Sequence, residues 1–357
     1  MLIRPVVIAA IALAAQHAAA WAQDQSYPQI SGEVVFEVEN DWTYDSDDRA
    51  NQNNDLFLTI EPALTLQLSS SWSIYAHAVL EPVRDPEQFE NRYFEDNGLY
   101  VEDLFVEYAD GAFGAKAGKL NVGFGVAWDI APGVFGTDFG EDGYEISERI
   151  GVIGNYTFAS EQAGEHRVSV GSFFLDTTIL SQSTLRGRGD TRKRDGGVSN
   201  TEDFSSFVVA VDGGKIPKLG NLAYHAAYLH QASGVGDTAD ESAVALALYT
   251  SAAVAGGITV SPLVEYVHQE DAAGVADRDI DFLTLAAQAE WNGFNLAVAW
   301  TGRRTDAAAD QDDYQFQVSA GYAFDFGLTF DVGWRIADEA DVETRTLGAI
   351  VAYTYEF

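Results

Sequence analysis

Sixteen stretches of this chain alternate apolar and polar residues with period 2, and the links between them alternate short and long. The stretches run over 30–39, 56–68, 71–82, 99–109, 112–120, 148–158, 166–176, 205–213, 220–231, 242–253, 257–268, 280–291, 293–303, 313–324, 326–336 and 345–357. Period 2 is the signature of a strand whose two faces meet different surroundings. The links after the second, fourth, tenth, twelfth and fourteenth stretches are "SS", "DG", "AG", "N" and "D", and those after the sixth and eighth are "SEQAGE" and "GKIPKL". The odd-numbered stretches are followed by long polar links such as "DWTYDSDDRANQNND", "EPVRDPEQFENRYFEDNG" and "TTILSQSTLRGRGDTRKRDGGVSNTEDF". This rhythm puts every tight turn at one end of an antiparallel array. An even count lets the array close on itself and leaves no open edge.

The polar face decides what the array encloses. In 56–68 the residues Leu56, Leu58, Ile60, Leu64, Leu66 and Leu68 share one face, while Thr59, Glu61, Thr65 and Gln67 share the other. In 326–336 Leu328, Phe330, Val332, Trp334 and Ile336 oppose Thr329, Asp331, Gly333 and Arg335. A ring of sixteen strands is too wide for its side chains to fill. The polar face therefore lines water and the apolar face meets lipid, where closure satisfies every backbone polar group. The apolar run 243–264 fits this scheme as two strands joined at Gly256-Gly257 better than as one helix.

Composition narrows the class. With 55 acidic against 20 basic residues the formal charge is −35, which excludes electrostatic attraction to nucleic-acid phosphates and favours cations as partners. There is no cysteine, hence no disulfide frame or thiolate site. The N-terminus carries Arg4, an apolar run and Ala20-Trp21-Ala22, the form of a cleaved secretory signal peptide over 1–22, with the mature domain over 23–357.

A leader, alternating strands with short and long links, a terminal "AYTYEF" and a long insertion after "AGKLNVGFGVAWD" together resemble a Gram-negative outer-membrane porin of the sixteen-stranded type. The resemblance implies an all-β transmembrane antiparallel barrel in the bacterial outer membrane. Its long loops would face outward, its turns the periplasm, and its third loop would fold inward to narrow the pore. It also implies a homotrimer that passes small hydrophilic solutes and contacts lipid and lipopolysaccharide. The last strand, with Tyr353, Tyr355 and Phe357, resembles the signal read by the outer-membrane assembly machinery.

The insertion brings Asp129, Asp138, Glu141, Asp142 and Glu145, with Glu148 at its end and no Lys or Arg within 121–147. Acids lining a narrow aqueous path focus a field that favours cations. Assigning the non-lipid face strand by strand adds Glu33, Glu37, Glu39, Glu61, Glu81, Asp103 and Glu107 as lumen acids, and Lys116, Arg149 and Arg335 as the candidate positive side. The segment "LRGRGDTRKRDGG" reads as a solvated outer loop or as a contact for lipopolysaccharide. Loops such as "YDSDDRANQNND" and "DFGEDGYE" offer oxygens to adventitious Ca²⁺, with no dedicated metal site and no cofactor. Nucleophile, zinc-protease and nucleotide motifs are absent, and beyond His17 in the leader the histidines are spread over several strands, with His77 and His225 on lumen faces. The reading is a cation-preferring diffusion channel and not an enzyme. Its alternatives are a substrate-specific uptake channel and, further off, an adhesin or enzyme barrel.

Overall fold

The computed structural model describes residues 26–217, 219 and 221–357. The leader read over 1–22 lies outside the described residues. One sheet of nineteen hydrogen-bonded segments includes three two-residue pairs, Arg92–Tyr93, Thr184–Leu185 and Ala252–Ala253. The remaining sixteen form the wall. They are β1 (Gln29–Ser46), β2 (Asn54–Gln67), β3 (Trp72–Pro82), β4 (Asn97–Asp110), β5 (Phe113–Val122), β6 (Ile146–Ser160), β7 (Gly164–Leu175) and β8 (Ser206–Gly214). The second half comprises β9 (Ala223–Gln231), β10 (Glu241–Tyr249), β11 (Thr259–Glu270), β12 (Asp279–Trp291), β13 (Phe294–Asp306), β14 (Gln311–Ala323), β15 (Leu328–Glu339) and β16 (Val342–Glu356). Each strand pairs antiparallel with its sequence neighbour, and β16 returns to β1 with Glu356 opposite Glu33 and Val351 opposite Val38. The ring is closed.

Burial follows the alternation and inverts the rule for water-soluble proteins. On β1 the even positions Phe36, Val38 and Trp42 are exposed, while Val35, Glu37, Glu39 and Asp41 are buried. Leu246 and Leu248 on β10 and Leu283 and Leu285 on β12 are likewise exposed. Apolar side chains standing outward along the whole ring form the band that lipid covers. Aromatics bound it. At the short-turn end Trp291, Phe294, Tyr322 and Phe324 form a contiguous run with successive ring centroids 6.4, 4.7 and 4.8 Å apart. At the other end Trp42 packs on Tyr44, whose hydroxyl accepts from Trp334 Nε1 at 3.0 Å. No helix among the described residues is long and apolar enough to cross a membrane; the strands make the crossing.

Two departures from the sequence reading matter for the pore. First, β1 runs to Ser46 and β16 begins at Val342, so the expected first loop contracts to residues 47–53. An ion pair of Arg345 with Asp45 (2.7 Å) and a hydroxyl contact of Thr43 with Thr346 (3.1 Å) stitch polar residues into a ladder above the apolar band. Asp48, read as a possible Ca²⁺ ligand, caps the short turn that follows by accepting from the Ala50 N–H at 2.9 Å.

Second, β4 carries a bulge. His77 of β3 pairs with Asp103, but Ala78 pairs with Val101. Glu102 stands unopposed, and the parity of β4 switches there. Tyr100 and Glu102 on one side of the bulge and Phe105 on the other are all buried, whereas Leu99, Leu104 and Val106 are exposed. Glu102 and Asp103 therefore both face the lumen, as a residue inserted in one strand of a pair requires.

Candidate functional site

The wall opens where β5 stops pairing with β4. Their ladder ends at Leu104 opposite Lys119, after which the chain turns into the barrel and returns only at Ile146. The freed edge of β4 is patched from another loop, with Gly98 opposite Leu185 and Leu99 opposite Thr184.

Inside, residues 123–145 form two short helices, α1 (Ala127–Ile130) and α2 (Asp138–Tyr144). They are fastened to inward-facing side chains of β11 to β16. Glu265 on β11, 1 % exposed, accepts from the N–H groups of Val126 (2.6 Å) and Ala127 (2.9 Å) and from the Tyr144 hydroxyl (2.7 Å). Gln317 on β14 accepts from the Phe135 N–H (3.1 Å) and donates to the Gly136 carbonyl (2.6 Å). Ser319 accepts from the Val134 N–H at 3.0 Å. Thr137 and Thr301 share a hydroxyl hydrogen bond of 2.8 Å. Glycines on the wall make room for the loop: a Cβ on Gly348 would stand 2.6 Å from Val134 Cγ1 and 2.7 Å from Phe135 Cζ. The loop thus lies against one side of the lumen, leaving the acidic side of β1 to β4 to face the aqueous path.

The loop acids divide by environment. Asp129 on α1 is half-buried, and burial pushes its carboxyl up to about 6. Glu145 is half-buried too and is pushed up to about 8, by burial first and then by the charges of Glu102 and Asp129, with Arg149 opposing. Asp142 is exposed and Glu141 is buried in α2. Asp138 makes an ion pair with Arg335. Glu148, expected among the constriction acids, stands where the loop rejoins the wall. It is held by Lys119 (2.7 Å) and by Arg188 (2.7 Å), so it serves as a structural corner there. Arg188 comes from the basic segment read as a solvated loop. It reaches inward and lies 3.8 Å from the Tyr100 ring centroid. "DFGEDGYE", offered above as a source of oxygens for adventitious Ca²⁺, contains α2 inside the barrel.

On the wall, Glu33, Glu37, Glu39, Glu61, Glu81, Asp103 and Glu107 occupy inward positions, joined by Asp41, Asp55 and the bulged Glu102. Glu81 accepts from the Tyr100 hydroxyl at 2.5 Å. The bases are scattered. Lys116 on β5 is opposite Glu107 and sits 4.6 Å from the Phe105 ring centroid. Arg149 on β6 points inward and donates to the Ser147 carbonyl. Arg335 on β15 is ion-paired with Asp138, and Arg303 with Asp313 (2.7 Å) and Glu339 (2.6 Å). The three expected positive residues do not gather into one face. Glu102 escaped the sequence reading because a bulge leaves no mark on an alternating pattern except two adjacent polar residues, here Glu102-Asp103.

A closed barrel, apolar outside, polar inside and narrowed by its own loop, is a transmembrane diffusion channel. The Gram-negative porin family model matches residues 7–356, and the chain belongs to that family. It is an outer-membrane channel rather than an enzyme. Solved structures of similar fold include Pseudomonas putida OprB at high pH (TM-score 0.64, 10 % identity, covering 92 % of this chain and 94 % of that one). Salmonella typhi OmpF in complex with daunomycin is similar at TM-score 0.62 and 13 % identity, over 92 % of this chain and 98 % of that one. The outer-membrane channel DcaP of Acinetobacter baumannii is similar at TM-score 0.59 and 10 % identity, over 94 % of this chain and all of that one. No curated protein sequence matches the chain.

Proposed function

We propose that this porin is a general diffusion channel for small hydrophilic solutes with a preference for cations. The observation that carries the reading is the asymmetry of charge partners. Among the described residues, Arg92, Lys119, Arg188, Arg303 and Arg335 are each ion-paired with a carboxylate, while the acids of β1 to β4 outnumber the bases beside them. A lumen of net negative potential in a low-dielectric wall concentrates cations and depletes anions. Conduction needs only radius and charge, with no bound cofactor.

Two further features belong to the same proposal. The chain assembles as a homotrimer, with outward small residues such as Ala76 and Ala78 on β3 permitting close approach of subunits. The aromatic final strand is read by the outer-membrane assembly machinery, because Tyr353, Tyr355 and Phe357 stand exposed on the outer face.

Single-channel conductance of the refolded protein against KCl concentration tests the general-diffusion reading. A current rising in proportion to salt, unaffected by added sugars or aromatic acids, is expected. Saturation, or block by one solute class, would instead establish a substrate-specific uptake channel.

A further inference from the structure

His77 stands on the lumen face of β3 among carboxylates from both neighbouring strands. Its Nδ1 lies 3.5 Å from Glu102 Oε2 and 3.9 Å from Asp103 Oδ2, and its Nε2 lies 3.7 Å from Glu61 Oε2. One ligand-type atom from each of His77, Glu102 and Asp103 lies within 4.8 Å of the other two. The register explains the convergence: Asp103 is directly opposite His77, and the bulge adds Glu102 beside it.

Asn121 holds both carboxylates from behind. Its side-chain Nδ2 donates to Glu102 Oε1 at 2.7 Å, and its backbone N–H donates to Asp103 Oδ1 at 3.2 Å. Each carboxylate thus has one oxygen fixed and the other turned toward His77. Glu102 is 3 % exposed, and its Oε2 makes no hydrogen bond among the described residues. A buried carboxylate oxygen left without a donor is costly, and here it is aimed at two other ligand-type atoms.

We infer that Nδ1 of His77, Oε2 of Glu102 and Oδ2 of Asp103 form a binding site for a divalent transition-metal ion on the channel wall. Metal bonds of about 2.0–2.2 Å to imidazole nitrogen and carboxylate oxygen place ligand atoms roughly 3–3.5 Å apart, and the carboxylate oxygens, 3.5 and 3.9 Å from Nδ1, would draw in to that spacing on binding. The imidazole distinguishes the site from an all-oxygen Ca²⁺ or Mg²⁺ site. Glu61 then takes the Nε2–H of His77, the carboxylate–histidine–metal arrangement that fixes the ring and its tautomer. The remaining coordination positions open to lumen water. Occupancy would place two positive charges in the acidic wall and so reduce cation preference. This binding claim goes beyond the channel reading and does not depend on it.

Isothermal titration of the EDTA-treated, detergent-solubilised barrel with ZnCl2 tests it without any conductance measurement. One saturable zinc per chain is expected. His77→Asn and Glu102→Gln should each weaken binding by about tenfold or more, and Glu61→Gln, which removes only the partner of Nε2–H, by roughly tenfold. His268→Asn, which removes the outward-facing His268–Asp281 pair at 2.9 Å, should leave the affinity unchanged. If a variant fails to form a barrel, protection of wild-type His77 from acylation by diethyl pyrocarbonate reports on the same site. Absence of saturable binding below millimolar zinc, unaltered binding in His77→Asn, or acylation of His77 indifferent to zinc would each overturn the assignment.

Discussion

Phe357 and Gly32 exchange both of their backbone hydrogen bonds, N–H of Phe357 to the Gly32 carbonyl at 3.0 Å and N–H of Gly32 to the Phe357 carbonyl at 3.1 Å. A Cβ on Gly32 would stand 2.4 Å from the Ala63 carbonyl oxygen and 3.0 Å from Phe357 Cζ, so the phenyl ring occupies the space the glycine leaves open. The last residue thus completes the ladder between the final strand and the first, where an unpaired edge could not persist in lipid. Deleting Phe357 should reduce the yield of assembled, heat-modifiable barrel on a gel, while channels that do form conduct as wild type. Normal assembly of the deletion would contradict this.

Glu265 anchors the inward loop through two N–H groups and the Tyr144 hydroxyl. Glu265→Gln keeps the shape but turns an amide NH2 toward one of those donors, costing about 1–3 kcal/mol for groups left unpaired. The loop should then fluctuate, read as greater open-channel noise than wild type with the barrel intact. A quiet trace would show that the other anchors suffice.

Lys119 is buried, its side chain 0 % exposed, between Glu148 (2.7 Å) and Asp176 (3.0 Å). Lys119→Met leaves buried Asp176 without its cation and Glu148 with Arg188 alone, and should destabilise the barrel by about 3–5 kcal/mol, measured by urea unfolding in detergent micelles. A smaller loss than the exposed pair Lys215–Glu165 would contradict the assignment of this corner as structural.

Selectivity should depend on pH through the loop. Burial raises Asp129 to about 6 and Glu145 to about 8. A carboxyl is neutral below its pKa and charged above it, so both groups are uncharged at pH 5 and both charged at pH 9. Cation preference should therefore grow across that interval, and Asp129→Asn should flatten its lower half. A profile indifferent to pH in the wild type would remove these two acids from the conduction path.

The wall was legible in the sequence because lipid and water lie on opposite faces of every strand. Leu56, Leu58 and Ile60 against Thr59 and Glu61 leave only one way to turn β2. What lay beyond the apolar band was less legible. Thr43 and Asp45 look like loop, yet pairing to Thr346 and Arg345 extends β1 to Ser46. The bulge at Glu102 and the inward reach of Arg188 depend on which strand ends meet in space, and alternation carries no information about that. Pairing of Arg335 with Asp138 arises from residues nearly two hundred positions apart, joined only when the loop crosses the lumen.

If the acidic lumen sets the proposed preference for cations, it will show in the zero-current potential across a planar bilayer in a KCl gradient. The dilute side should become positive, as K⁺ crosses ahead of Cl⁻, and the potential should shrink when Glu37 and Glu61 are changed to Gln. A dilute side that becomes negative would show anion preference and contradict it.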